Sequence, residues 1–145
     1  MMTISAKIRQ MIASAKPMLL KTPPEVAREK PGLDRWSKKE MLGHLIDSAA
    51  NNHQRIVRGA QNIALDFPPY QQNQWVEVQR YNDADWIQLV ELFVHYNLHL
   101  ARVIEGLPES VLENPCSIGA DHPVTLRFVI EDYLRHLGHH LDRLV

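Results

Sequence analysis

The sequence predicts an all-α chain, a four-helix bundle with long links between its helices. Two observations carry that expectation. Four segments repeat apolar residues at helical spacing, and proline, glycine and asparagine punctuate the stretches between them. No internal repeat, low-complexity tract or convincing long strand interrupts the series. At 145 residues the chain suits one domain over 1–145, long enough to bury an ordinary core.

The first helix is read from Ile4 to Leu20, with apolar residues at Ile8, Met11, Ile12, Ala15, Met18 and Leu19. Pro17 is expected to kink it or end it. Thr22-Pro23-Pro24 and Pro31-Gly32 mark a connecting loop. Ser37 and Glu40 then fit a capping box, and the apolar stripe Leu42, Leu45, Ile46, Ala49, Ile56, Val57 carries a second helix to Gly59–Gln61. Asn62 to Asn82 is read as a long link, of the length that often serves function. Asn82 is expected to cap the third helix, with Asp83 and Asp85 in its first turn and Gly106 as the residue that ends it. Residues 115–123 read as a loop with a short hairpin, and a fourth helix starts near Thr125.

Composition narrows the function classes. Hydrophobic residues make up 45% and charged residues 23%, a globular balance. Net charge is −1 with no block of like charges, so the footprint of a nucleic-acid binder is missing. Cys116 is the only cysteine, which excludes an intrachain disulfide and a thiolate metal cluster. The first ten residues interleave charge with apolar side chains, unlike a signal peptide, and no apolar run approaches a membrane span. The expectation is a cytoplasmic protein with no membrane partner.

Eight histidines are an excess for this length and direct attention to metal chemistry. His136 and His140 stand at i and i+4, where two imidazoles can face one cation. A further histidine from another helix would complete a site with an open coordination position. With Leu126, Ile130, Leu134, Leu137 and Leu141 as the core direction, His140 lies roughly 70° and His136 roughly 110° away, on one flank. His139 points to solvent. The rival pair His95 and His99 falls about 140° and about 100° from its own core stripe, among Gln88, Glu91 and Arg102, as a solvated face would. His53 sits within the apolar stripe of the second helix and reads as a satisfied core or interface histidine. His44 shares a polar stripe with Glu40, Asp47, Asn51 and Arg55. Periodicity favours solvent for that stripe, a cleft against the long link is the alternative, and geometry leaves both open.

Two motifs resemble a known family. Trp36-Ser-Lys-Lys-Glu-Met-Leu-Gly-His44-Leu-Ile-Asp47-Ser48 is similar to the second-helix motif of the DinB-like (damage-inducible) superfamily, a tryptophan followed by His-Leu-x-Asp-Ser. Asp132-Tyr-Leu-Arg-His136-Leu-Gly-His139-His140 resembles that family's last-helix motif. The resemblance spans essentially the whole chain. It implies a DinB-like four-helix bundle holding one divalent metal on His44, His136 and His140, and it resolves His44 in favour of the cleft. Zinc or nickel is the first expectation and iron or manganese the second. Members include S-transferases of low-molecular-weight thiols such as bacillithiol, mycothiol or glutathione, and metal-dependent hydrolases. Homodimers are frequent among them.

Around such a site, Asp47 or Asp132 would orient a ligand or accept a proton. Asn51, Tyr133 and the link residues Gln74, Trp75 and Tyr81 would line the substrate side, although Trp75 and Tyr81 also read as packing aromatics. Cys116 reads as a loop or partly buried thiol. The expected partner is a small-molecule substrate, a low-molecular-weight thiol in the first reading. A hydrolase using activated water and a non-catalytic stress-related binding module are the alternatives.

Overall fold

The computed structural model describes residues 1–61 and 65–145. Four long helices make the bundle: α1 (Ile4–Lys21), α3 (Lys38–Ala60), α5 (Trp86–Glu105) and α6 (Leu126–Leu144). Two short ones, α2 (Pro24–Arg28) and α4 (Gln72–Gln79), lie in the links. α1 and α3 each pack against α5 and α6, so the four run round a square in the order α1, α5, α3, α6. Ile8, Leu42, Phe93, Leu100 and Leu137 are fully buried where these faces meet. Removal of such side chains from water is the main force holding the helices together. The Trp86 indole donates to the Leu19 carbonyl at 2.8 Å, locking the start of α5 onto the end of α1.

The expected capping box is formed in full: Ser37 Oγ accepts from the Glu40 amide at 3.1 Å, and Glu40 accepts from the Ser37 amide at 3.0 Å. Pro17 neither ends nor shortens α1. The carbonyl it leaves without a donor, that of Ala13, belongs to an exposed residue where water can serve it, while Ile12, Ala15 and Leu19 hold the buried side on both flanks.

The start of the third long helix departs from expectation. Asp85, not Asn82, caps α5, its side chain accepting from the Gln88 amide at 2.9 Å. Asn82 belongs to a single 3-10 turn, Tyr81–Asp83, and its side chain accepts from Ser37 Oγ at 2.5 Å. It is spent on docking the link to the start of α3. Gly106 ends α5 with φ −82°, a conformation open to any residue, so its glycine freedom goes unused.

The expected hairpin exists and is larger than expected. β2 (Pro115–Ser117) pairs antiparallel with β3 (Val124–Thr125), and β1 (Leu65–Asp66) pairs parallel with β2. This small sheet covers the far end of α3. Gly59 makes the approach possible, since a Cβ there would lie 2.9 Å from Cys116 Sγ. No helix among the described residues is long and apolar enough to cross a membrane.

Candidate metal centre

α3 supplies His44 and α6 supplies His136 and His140, and the packing of those two helices brings the three rings together. Each offers a ring nitrogen, and these nitrogens lie within 4.8 Å of one another. The ring centroids of His136 and His140 are 4.3 Å apart, and that of His44 is 5.3 and 5.1 Å from theirs. His44 is 1% exposed, so the cleft reading of its stripe is the correct one. Periodicity favoured solvent because it cannot see what covers a polar face. Here the Trp36 indole covers it, 4.9 Å from the His44 ring.

The electrostatics keep all three rings neutral. Burial, then the positive fields of His136 and His140, bring the pKa of His44 down to about 4. Burial, then His136, His139 and Arg143, bring that of His140 to about 4. Burial also lowers His136, against the pull of the Asp132 carboxylate.

Both ring nitrogens of His44 and Nδ1 of His140 are buried with no hydrogen-bond partner among the described residues. A buried polar atom without a partner costs roughly 1–3 kcal/mol, so such atoms rarely gather without a ligand to satisfy them. The donor set, three neutral imidazoles from two helices, fits a divalent cation with room for a further ligand. Ser48 Oγ lies 3.4 Å from His136 Nδ1 and steadies that ring from the α3 side.

The surrounding residues divide. Asp47, three residues after His44 on α3, is buried, and Oδ1 accepts from Tyr81 Oη at 2.6 Å and from Gln79 Nε2 at 2.8 Å. Its Oδ2 has no partner among the described residues, and burial raises its pKa against those two donors. Asp132 instead lies on the surface, paired with Arg135, and acts on His136 only through its field. Asn51 is buried with its amide donating to the Asp47 carbonyl at 2.8 Å, so it braces α3. The Tyr133 hydroxyl donates to Asn97 Oδ1 inside the bundle, away from the triad. Trp75 is 38% exposed on α4, stacked edge-on to Tyr70 and lining, with Gln74, a separate surface hollow of about 390 Å³. His95 and His99 are exposed, and His53 Nδ1 is 2.9 Å from Tyr96 Oη, a satisfied histidine.

Two participants escaped the sequence reading. Tyr70 sits among Ser48, Asp47 and Arg55, and burial pushes its hydroxyl up to about 12. Gln79 bridges α4 to Asp47. Nothing in the local pattern of the link distinguishes either from its polar neighbours.

Solved structures share this architecture. YfiT from Bacillus subtilis, described as a probable metal-dependent hydrolase with an unusual four-helix bundle topology, superposes with a TM-score of 0.80 at 17% identity, covering 97% of this chain and 81% of its own. A mycothiol-dependent maleylpyruvate isomerase superposes with a TM-score of 0.77 at 13% identity, covering 97% of this chain. The chain spans 59% of that isomerase's length. At these identities the likeness is one of fold. No curated protein matches by sequence. The model of the DinB superfamily matches residues 7–143, nearly the full length, and the chain belongs to that superfamily.

Proposed function

We propose that the chain is a metal-dependent enzyme in which His44, His136 and His140 hold one divalent cation, zinc or nickel before iron or manganese, and that it transfers a low-molecular-weight thiol to an electrophile. The convergence of three neutral imidazoles, with buried nitrogens left partnerless, is the observation that carries this reading. A cation so held lowers the pKa of a bound thiol or water towards neutrality.

The protein's own groups do the rest. Trp36 shields His44 from water and fixes its ring, and Ser48 holds the His136 ring through Nδ1. Tyr81 and Gln79 anchor one oxygen of Asp47, leaving Oδ2 to take up the proton released by the nucleophile. The same site with water as nucleophile would be a hydrolase, the activity named for the structurally similar YfiT. Homodimerisation belongs to this reading, and the exposed Ile87 and Leu98, on one face of α5, offer apolar surface for it.

The test begins with metal analysis of tag-free protein against the His136→Ala/His140→Ala variant. Stoichiometric metal in the native protein and its loss from the variant are expected, and equal metal in both defeats the proposal. Thiol titration of the loaded protein then separates the chemistries. Thiol-dependent consumption of an electrophile marks the transferase, whereas ester hydrolysis without thiol marks the hydrolase.

A further inference from the structure

α3 carries histidines on opposite faces. His53 follows His44 by nine residues, which at about 100° per residue turns it roughly 180° round the helix. His44 therefore meets α6 and the triad, while His53 meets α5, which packs on the other side of α3. The function proposed above uses no histidine on that side.

There the His53 ring stands against that of His99, with centroids 5.4 Å apart and planes at 89°. The spacing is close to that of His44 from its two partners in the triad, 5.3 and 5.1 Å. Metal–nitrogen bonds of about 2.0–2.1 Å set the centroids of two imidazoles on neighbouring positions of one ion roughly 4.5–5.2 Å apart. His99 is exposed, so a small rotation of its side chain closes the remaining gap. The helical wheel joins His99 to His95 on a solvated face, but the ring it meets across the helices belongs to His53.

His53 is also braced as a ligand would be. Tyr96 Oη lies 2.9 Å from its Nδ1, and the phenol ring packs edge-on at 5.5 Å. When Nδ1–H donates to that oxygen, the lone pair is on Nε2, ready for a cation. Histidine ligands are commonly held through their second nitrogen in this way. The half-buried His53 supplies the fixed donor, and the exposed His99 leaves an entry path from solvent.

We propose that His53 and His99 form a second metal site, separate from the triad, which takes a divalent transition ion and ties α3 to α5. Two imidazoles leave the other coordination positions to water. The affinity order of nitrogen donors makes copper(II) the tightest ion there, ahead of nickel and zinc. The site stands independently of the chemistry proposed at the triad, since it shares no ligand with it.

The probe is copper(II), added to tag-free, full-length His136→Ala/His140→Ala protein so that the triad is out of the count. Calorimetry gives the number of ions, and electron paramagnetic resonance reads the coupling of copper to imidazole nitrogens. One tight equivalent coupled to two imidazoles is expected, with a higher unfolding temperature when copper is present. His99→Gln, at an exposed position that spares the fold, should abolish that equivalent and the temperature rise. Tyr96→Phe should weaken binding about tenfold, the lower end of the range for losing a ligand's outer hydrogen bond. His95→Gln should change nothing. Copper held equally after His99→Gln, copper lost instead with His95→Gln, or a spectrum from a single imidazole overturns the site. Metal content of the protein with its triad intact is measured separately, so failure at one site is not mistaken for failure at the other.

Discussion

The ring of Tyr81 lies in the space that a side chain on Gly43 would fill: a Cβ there would stand 2.1 Å from Tyr81 Cδ2. Because Gly43 has none, the ring lies flat against α3 and its hydroxyl reaches Asp47, one turn away along the same helix. Gly43→Ala should therefore push Tyr81 out. Alanine's helix preference, about 1 kcal/mol, favours the variant, but overpacking at a rigid buried ring costs about 1–3 kcal/mol and the lost hydrogen bond adds to it. Net destabilisation is expected in urea unfolding, with Tyr81→Phe, which keeps the ring, costing less. A stabilised Gly43→Ala variant would contradict this packing.

Asp47 separates structure from chemistry. Asp47→Asn preserves the shape and still accepts from Tyr81, so its stability should change little. Asp47→Ala leaves the Tyr81 hydroxyl to Gln79 Oε1 and the Gln79 amide to the Trp75 carbonyl, but it removes both bonds to the carboxylate and should cost roughly 1–3 kcal/mol. If Oδ2 accepts the nucleophile's proton, Asp47→Asn loses turnover at full metal content. Turnover equal to that of the native protein would remove Asp47 from the chemistry.

Metal-free protein should lose stability in mild acid. His44 and His140 titrate near 4 in the fold and near 6.5 when unfolded. Between those values the unfolded chain binds more protons, so stability is complete above about 6.5 and falls as pH drops towards about 4. Urea midpoints at pH 7.5 and pH 5 should show the fall, and His44→Leu should flatten it. A midpoint independent of pH would mean that the rings are solvated.

Trp36 is the cover that keeps His44 dry. In the metal-free Trp36→Ala variant the His44 pKa should climb from about 4 towards the ordinary histidine value, as followed by proton NMR. An unmoved titration would place the shielding elsewhere.

Cys116 is fully buried between α3 and the sheet, and burial pushes its thiol up. It should resist aromatic disulfide reagents in native buffer and react once the chain is unfolded. Rapid native modification would mean that the sheet opens from α3.

What was legible in the sequence follows from how local each determinant is. The capping box of Ser37 and Glu40 and the shared flank of His136 and His140 are fixed by spacing within one helix, and both stand as read. His44 depends on Trp36 and on a helix close to the other end of the chain, so its own periodicity pointed the wrong way and only the family resemblance placed it. α4 reads as link because seven of its eight residues are exposed and Val76 alone is buried, a pattern without amphipathic signal. Tyr133 lies on the same flank as His136 yet turns its hydroxyl to Asn97, a partner that no helical wheel shows. The role of Tyr81 depends on a gap in another helix, and only the fold reveals which glycine leaves room for a ring.

His44 and the His136/His140 pair stand about ninety residues apart along the chain, and a shared ion would tie α3 to α6 as a reversible cross-link. Closing so long a loop restricts the unfolded chain much as a disulfide does, in a protein whose single cysteine can form none. Ligand linkage makes the gain grow with the ratio of free ion to dissociation constant. Supply of metal would then set how long the folded molecule lasts as well as whether it reacts.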